Sequence, residues 1–276
     1  MNHMIVDRDK CRGCGQCEQR CGFKRVISVD ETGRASFQPD RSRCIECYHC
    51  LMICPEGAIS PGDDVRLSVA PVGGKTPSVL TRRSCRVYTD RLPDRETVND
   101  IIGDANMAPR AYIDFTDRQY VVVTGRALAD LRTFLIKKIE SHSRAFRLLL
   151  RIPFLPASLK RSLNNLAWCF SATAAANRER EQLFQGAPAV ILITGPAQIT
   201  VGRANSQYAL LQLMIRAEER GLGTCISGYV DGYGPSISRF LGLPKGVRVF
   251  CGVMIGYPAA SFPRYVRRED TAVAWI

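Results

Sequence analysis

The chain has 276 residues, 46% of them hydrophobic, with 38 Lys/Arg against 26 Asp/Glu for a formal net charge of +12. That length suits a small domain joined to a core-forming one of about 200 residues. No apolar run approaches the roughly 18 residues that span a bilayer, and no basic stretch is interleaved with stacking aromatics, so membrane-spanning and nucleic-acid-binding classes are set aside.

The N-terminus, M-N-H-M-I-V-D-R-D-K, has no apolar signal core, so a cytoplasmic protein with reduced thiols is expected. Cysteines follow at 11, 14, 17 and 21, and again at 44, 47, 50 and 54, so that C-x2-C-x2-C-x3-C occurs twice. Three thiolates at this spacing can face one side of a loop and hold three irons of a cubane. The fourth, one helical turn on, points away and reaches the other cluster. The expected ligand sets are therefore crossed: Cys11, Cys14, Cys17 and Cys54 for one cluster, and Cys44, Cys47, Cys50 and Cys21 for the other. Zinc would use two separated C-x2-C pairs and leave the third cysteine of each unit unexplained. A disulfide scaffold would need an oxidising compartment. The doubled motif resembles bacterial two-cluster ferredoxins over about residues 3–64. Pro55 follows Cys54 as usual there, whereas Gly22 follows Cys21.

Charge is unevenly shared. Residues 1–64 hold nine Lys/Arg and ten Asp/Glu, against 29 and 16 in residues 65–276. An acidic electron carrier fused to a basic body suggests electrostatic docking; scattered arginines that aid solubility are the plain alternative. Gly57, Pro61, Gly62, Pro71, Gly73 and Gly74 then crowd the stretch up to Pro77 and mark residues 65–77 as a linker. The G-G-K-T at 73–76 is no phosphate loop, because Val69 stands where the first glycine is needed and Pro77 where a helix should begin.

Beyond the linker, Asp94 can cap a helix carried by Val98, Ile101, Ile102 and Ala105 and stopped by Pro109. Gln119–Thr124 reads as a buried strand, followed by a helix through Leu128, Leu131, Leu135 and Ile139. Pro188–Thr194 is a second buried strand, a helix spans about Arg203–Arg220 and ends at Gly221, and Val247–Ile255 is a third strand. Apolar strands alternating with helices predict a layered domain with both sheet faces covered. Residues 132–170 stand apart, with eight Lys/Arg between Arg132 and Arg161 against the single acid Glu140, and apolar residues among them. Such a segment could touch an anionic membrane surface. More often it is a helical excursion covering a site, with Phe146, Leu149 and Phe154 then lining the pocket.

Four further motifs fall in order: R-R-S-C-R at 82–86, A-P-R-A at 108–111, G-L-G-T-C-I-S-G at 221–228, and I-G-Y-P at 255–258 followed by Arg264, Arg267 and Arg268. Clustered arginines with a serine suit a phosphate, and glycines let a backbone approach a flat ligand. In order and spacing, about Leu80 to Arg268 resembles the flavin-dependent nitroreductase family, and the whole chain resembles ferredoxin-fused members of it. The resemblance implies an α+β fold: a two-cluster 4Fe-4S ferredoxin domain at 1–64, then a nitroreductase-like α/β layered FMN domain at 78–276 with 132–170 as its excursion. It also implies a homodimer with FMN at the subunit interface. Carried over, Arg82 and Ser84 hold the FMN phosphate with Arg83 beside them, Arg264 or Arg267 completes that site, and Arg86 lies near the flavin pyrimidine edge. The turn Cys225–Gly228, with Ile226 in it and Gly223 before it, faces the reactive ring edge, where a backbone NH near Ser227 or Gly228 meets the nitrogen that delivers hydride. The family commonly has A-P-S-x-x-N after the first helix, the asparagine reading the flavin; here Pro109, Arg110 and Ala111 lead to Ile113 in that asparagine's place.

FMN and not FAD is expected, since no site for a second nucleotide half is recognisable, and no nicotinamide fingerprint is seen. Clusters pass single electrons at low potential and a flavin stores two, so the leading expectation is an FMN enzyme reducing a small nitro compound, quinone or activated alkene. An external low-potential partner then exchanges electrons with the clusters. Oxidation of a substrate in the opposite direction and an electron-transfer module serving a partner protein remain as alternatives.

Overall fold

The computed structural model describes residues 4–21, 26–38, 44, 47–62, 67–74, 76–109, 118–152, 154–179, 183–199, 201–268 and 272–276. The chain divides into two compact units, Met1–Arg82 together with Ala260–Ile276, and Arg83–Ala259.

The first unit is assembled from short pieces: β1 (Met4–Val6), α1 (Gln16–Cys21), β2 (Ile27–Val29), β3 (Ala35–Phe37), α2 (His49–Ile53), β4 (Ile59–Pro61), β5 (Leu67–Pro71) and α3 (Ser78–Thr81). β1 pairs antiparallel with β4, and β2 with β3. The loop of the first cysteine motif turns at Gly13, whose φ is +72°; a Cβ there would sit 1.9 Å from the Gly33 carbonyl oxygen, so no other residue fits. Leu51, Met52 and Ile53 of α2 are almost wholly buried with Ile27 and Ile59, and the cysteines pack around them.

The stretch read as a linker at 65–77 is not wholly irregular. It carries β5, which pairs antiparallel with Arg264–Arg268 (β10), Leu67 opposite Arg268 and Pro71 opposite Arg264. Phe262 and Val266 pack against the core of this same unit, and the His49 and Phe262 rings lie 5.1 Å apart. The C-terminal segment, expected at the end of the larger domain, thus belongs to the first unit. A two-residue-period strand with a free edge pairs wherever a compatible edge is offered, whatever the sequence distance.

In the second unit α4 (Arg95–Asn106) is capped as expected, with the Asp94 carboxylate accepting from the Thr97 backbone NH at 2.8 Å. There follow β6 (Gln119–Thr124), α5 (Gly125–Leu149), α6 (Ala157–Glu179), β7 (Ala189–Pro196), α7 (Gly202–Glu219), β8 (Gly223–Ile226), α8 (Gly228–Phe240) and β9 (Val247–Gly256). The sheet runs β6-β7-β9-β8 with every ladder antiparallel. Alternate residues of β7 serve opposite faces. Val190 and Leu192 meet α5 and α8 through Leu131, Leu135, Val230 and Ile237, while Ile191 and Ile193 meet α4 and α7 through Ile101, Leu210 and Leu213. Both faces are therefore covered, as the sequence predicts. One expectation is corrected: Q-Y-V-V-V-T forms an edge strand that is only half-buried, with Val122 exposed. Its valine run is indistinguishable from a central strand until the neighbours are known.

The excursion at 132–170 is helical. α5 buries one stripe, Leu128, Leu131, Leu135 and Ile139, and α6 packs against it through Leu163 and Ala167, with Phe146 stacked on Phe170 at 5.6 Å. The His142 Nδ1 and the Tyr233 hydroxyl are 2.8 Å apart, tying α5 to α8. Leu149 and Phe154, expected to line a pocket, are exposed within this unit. No helix among the described residues is long and apolar enough to cross a membrane.

Candidate functional site

The eight cysteines of the doubled motif lie in the first unit, and their neighbourhoods sort them into two sets. Burial pushes the Cys17 thiol up to about 11, with Cys54, Cys11 and Cys14 adding to the rise. Burial also raises Cys21, whose neighbouring thiols are Cys47 and Cys44. Cys50 is raised by burial and then by Cys47, Cys21, Cys17 and Cys44. The fourth cysteine of each motif therefore sits with the first three of the other, which is the crossed arrangement the spacing requires.

Around the first set lies a cavity lined by Cys11, Cys14, Cys17 and Cys54 with Gly13, Gly15, Ala35 and Ala58. Backbone donors point at the sulfurs: Ala35 N to Cys11 Sγ at 3.2 Å, Ala58 N to Cys54 Sγ at 3.3 Å and Val26 N to Cys21 Sγ at 3.4 Å. Such N–H···S bonds stabilise thiolates and tune the metal they bind. The four thiols line one cavity, the arrangement that a cluster bound by four thiolates needs.

The second constellation lies in the Arg83–Ala259 unit. The segment after Arg83 runs along the edge of β8: Ser84 bridges Thr224 in parallel, and Cys85 N donates to the Thr224 carbonyl at 2.8 Å. Gly223 was read as a place where backbone could approach a flat ligand; here a Cβ at 223 would lie 2.7 Å from the Cys85 Sγ, so the missing side chain makes room for the 84–86 segment. At the far end of β8 the turn Ile226–Gly228 leads into α8. Ile226 is half exposed between buried Cys225 and Ser227. The Ser227 NH is spent on the Gly252 carbonyl at 3.1 Å, whereas Gly228 contributes the first NH of α8, a group without an intrahelical acceptor. The Thr224 and Ser227 hydroxyls are buried without a hydrogen-bond partner.

The structure thus brings Ser84, Arg86, Gly223, Cys225, Ile226, Ser227 and Gly228 into one unit with Arg83. Arg82 closes the other unit in sequence, and Arg264 and Arg267 lie in β10 of that unit. Pro109 is exposed at the end of α4; Arg110, Ala111 and Ile113 lie outside the described residues. Sequence reading named only a turn at Cys225–Gly228 and missed β8 and α8, and it missed that Arg264 is engaged within the first unit.

A layered antiparallel α+β sheet together with a doubled thiol cradle defines the class. Residues 79–257 match the model of the nitroreductase family, and residues 10–59 match that of the 4Fe-4S dicluster domain. The chain belongs to the nitroreductase family and carries a ferredoxin domain of the 4Fe-4S dicluster type at its N-terminal side.

A 4-nitrobenzoate reductase of Nocardioides sp. (strain LMS-CY) is 25% identical over 203 residues, covering 67% of this chain and 81% of that protein. An uncharacterized protein of Methanocaldococcus jannaschii is 34% identical over 55 residues, 20% of this chain; the chain spans only 19% of that protein's length. In fold, the chain is similar to an FMN-dependent nitroreductase from Clostridium difficile R20291, with a TM-score of 0.52 at 18% identity, over 72% of this chain and 96% of that one.

Proposed function

We propose that this chain is an FMN-dependent oxidoreductase that draws single electrons through two 4Fe-4S clusters of its own and reduces a small electrophile, such as a nitro compound, a quinone or an activated alkene. The observation that carries the reading is the crossed sorting of eight thiols in a chain that also holds a nitroreductase-family sheet. Cys11, Cys14, Cys17 and Cys54 hold one cluster, and Cys44, Cys47, Cys50 and Cys21 the other.

FMN, when bound, supplies a two-electron store that can be filled one electron at a time. The chain's residues divide the remaining work. Ser84 with Arg82 and Arg83 holds the phosphate through charge-assisted hydrogen bonds. Arg86 sets positive charge beside the pyrimidine edge, favouring the anionic reduced form. Ile226 offers an apolar surface to the ring, and the Gly228 NH, at the positive end of α8, donates to the ring edge where electrons leave. The basic hairpin of α5 and α6 excludes water from the substrate side. Exposed Leu159, Leu166 and Trp168 on α6 and Leu211 on α7 support pairing of two copies into a homodimer, and the thiol-rich first unit suits the reducing cytoplasm.

Anaerobic preparation should yield about eight irons and eight sulfides per chain, and non-covalent FMN. Zinc in place of iron, with no visible absorbance, would sink the cluster half of the reading. Replacing Arg82 and Ser84 with alanine should weaken flavin retention, by about 1.5–3 kcal/mol for each charged hydrogen bond lost. Retention at wild-type occupancy would move the phosphate elsewhere. An anaerobic screen for compounds that reoxidise the reduced flavin then identifies the substrate class.

A further inference from the structure

Arg264 or Arg267 was expected to complete a flavin phosphate site, yet the contacts of Arg264 lie within the first unit. Its Nη2 donates to the Pro55 carbonyl oxygen at 3.0 Å, across 209 residues of sequence. The guanidinium lies against Gly57, where φ is +63° and where a Cβ would come within 2.5 Å of Nη1 and 2.8 Å of the central carbon. Any side chain at 57 would push the cation away. Residues 54–58 form the turn that holds one thiol: Gly57 N donates to the Cys54 carbonyl at 3.3 Å, and Ala58 N to the Cys54 Sγ at 3.3 Å. The register of β10 on β5 fixes the start of the side chain, since Arg264 pairs with Pro71 at the end of that ladder. The arginine is half-buried, so salt screens its charge less than that of a free surface cation.

Other charges near this thiol set are engaged differently. Arg12 is paired with Glu56 at 3.1 Å, which largely cancels its field. Arg34 donates to the carbonyl of Cys11, another thiol-bearing residue of the set. Arg264 forms no ion pair with an acid among the described residues and reaches the chain at the Cys54 turn.

We infer that Arg264 is a positioning and tuning residue for the cluster held by Cys11, Cys14, Cys17 and Cys54, raising its reduction potential. The inference rests on the proposed clusters and goes beyond them. A four-thiolate cluster becomes more negative when it takes an electron, so a fixed cation nearby favours the reduced state and moves the potential upward. Arginine stays charged at every working pH and cannot be switched off by deprotonation. Among the described residues, Arg264 reaches the turn after Cys54, so its charge acts first on the cluster that Cys54 holds.

The test is an EPR-monitored redox titration of the anaerobic holoenzyme, comparing wild type with Arg264→Gln and Arg264→Lys. Gln keeps a donor for the Pro55 carbonyl but removes the charge; Lys keeps the charge. Arg264→Gln should lower the reduced-to-oxidised ratio of one cluster about tenfold at a fixed potential, a shift of about 59 mV for one electron. Arg264→Lys should stay near wild type, the second cluster should not move, and flavin content should be unchanged in both. Unmoved midpoints with full iron would overturn the inference, as would iron loss in Arg264→Gln rescued by Arg264→Lys, which would make the residue a structural strap. Flavin loss with unmoved midpoints would return Arg264 to the phosphate. If wild type shows no cluster transitions at all, the proposed function fails first and this inference falls with it.

Discussion

The two units hold their folds by opposite means, and cysteine shows it most clearly. In the first unit the helices carrying the thiols have six and five residues and the strands three to five, too short to stand without something at the centre. Its thiols must lose their protons to bind metal, although burial pushes Cys17 and Cys21 upward and resists that loss. In the second unit Cys251 lies fully buried in a central strand, packed among Ile191, Ile193 and Val253, and is kept neutral. The same side chain gathers with other thiols where the apolar core is small and is a plain hydrophobe where it is large. What distinguishes them is the number of neighbouring thiols and the size of the apolar cluster around them.

Removing the iron is the strongest way to break this comparison. Chelation under anaerobic conditions should strip amide protection from β1, β2, β3 and β4, while β7 and β9, buried along nearly their whole lengths, keep theirs. Hydrogen exchange read segment by segment decides it, and simultaneous loss in both units would show that the second also depends on metal. The converse cut is Leu192→Ala. Leu192 has no exposed surface and sits in the central strand, so its truncation should cost about 2–5 kcal/mol in the stability of the second unit. Iron content should stay at the wild-type value; a matching loss of iron would contradict the division.

The smallest expected effect sharpens the contrast at Cys251, whose thiol burial pushes up to about 12 from an ordinary value of 9.0. A folded pKa above the unfolded one means that the unfolded chain gives up the proton first. The contribution is therefore complete below about pH 9 and is lost as pH rises toward 12, at about 1.4 kcal/mol per pH unit. Urea melts followed by far-UV circular dichroism at pH 8, 9 and 10 should show that decline, and Cys251→Ala should flatten it. An unchanged slope in the variant would assign the alkaline loss to another group.

Much of the second unit was legible because its signals are local. Asp94 three residues before Thr97 is a cap wherever it occurs, and the run A-V-I-L-I-T buries both faces in any sheet that accepts it. α8 escaped because Gly228, Gly232, Gly234 and Pro235 argue against a helix one residue at a time. Packing overrides them: a Cβ at Gly234 would stand 2.1 Å from the Val249 carbonyl, so the glycine is what lets this helix lie close on β9. The doubled thiol motif was equally readable, since a spacing of two, two and three residues suits three sulfurs to one loop face.

The sequence by itself thus determined the doubled thiol motif, the family and most of the layered sheet, because spacing and periodicity act over one or two turns of chain. Only the tertiary structure decided that β10 returns to β5, that residues 65–77 contain a strand, and that Arg264 meets Pro55 rather than standing free after the last core strand. Contacts between residues 209 apart leave no periodic trace in either segment. They depend on which strand edge is left unpaired once the local pieces have formed, and edge pairing is made by backbone groups that every residue carries alike.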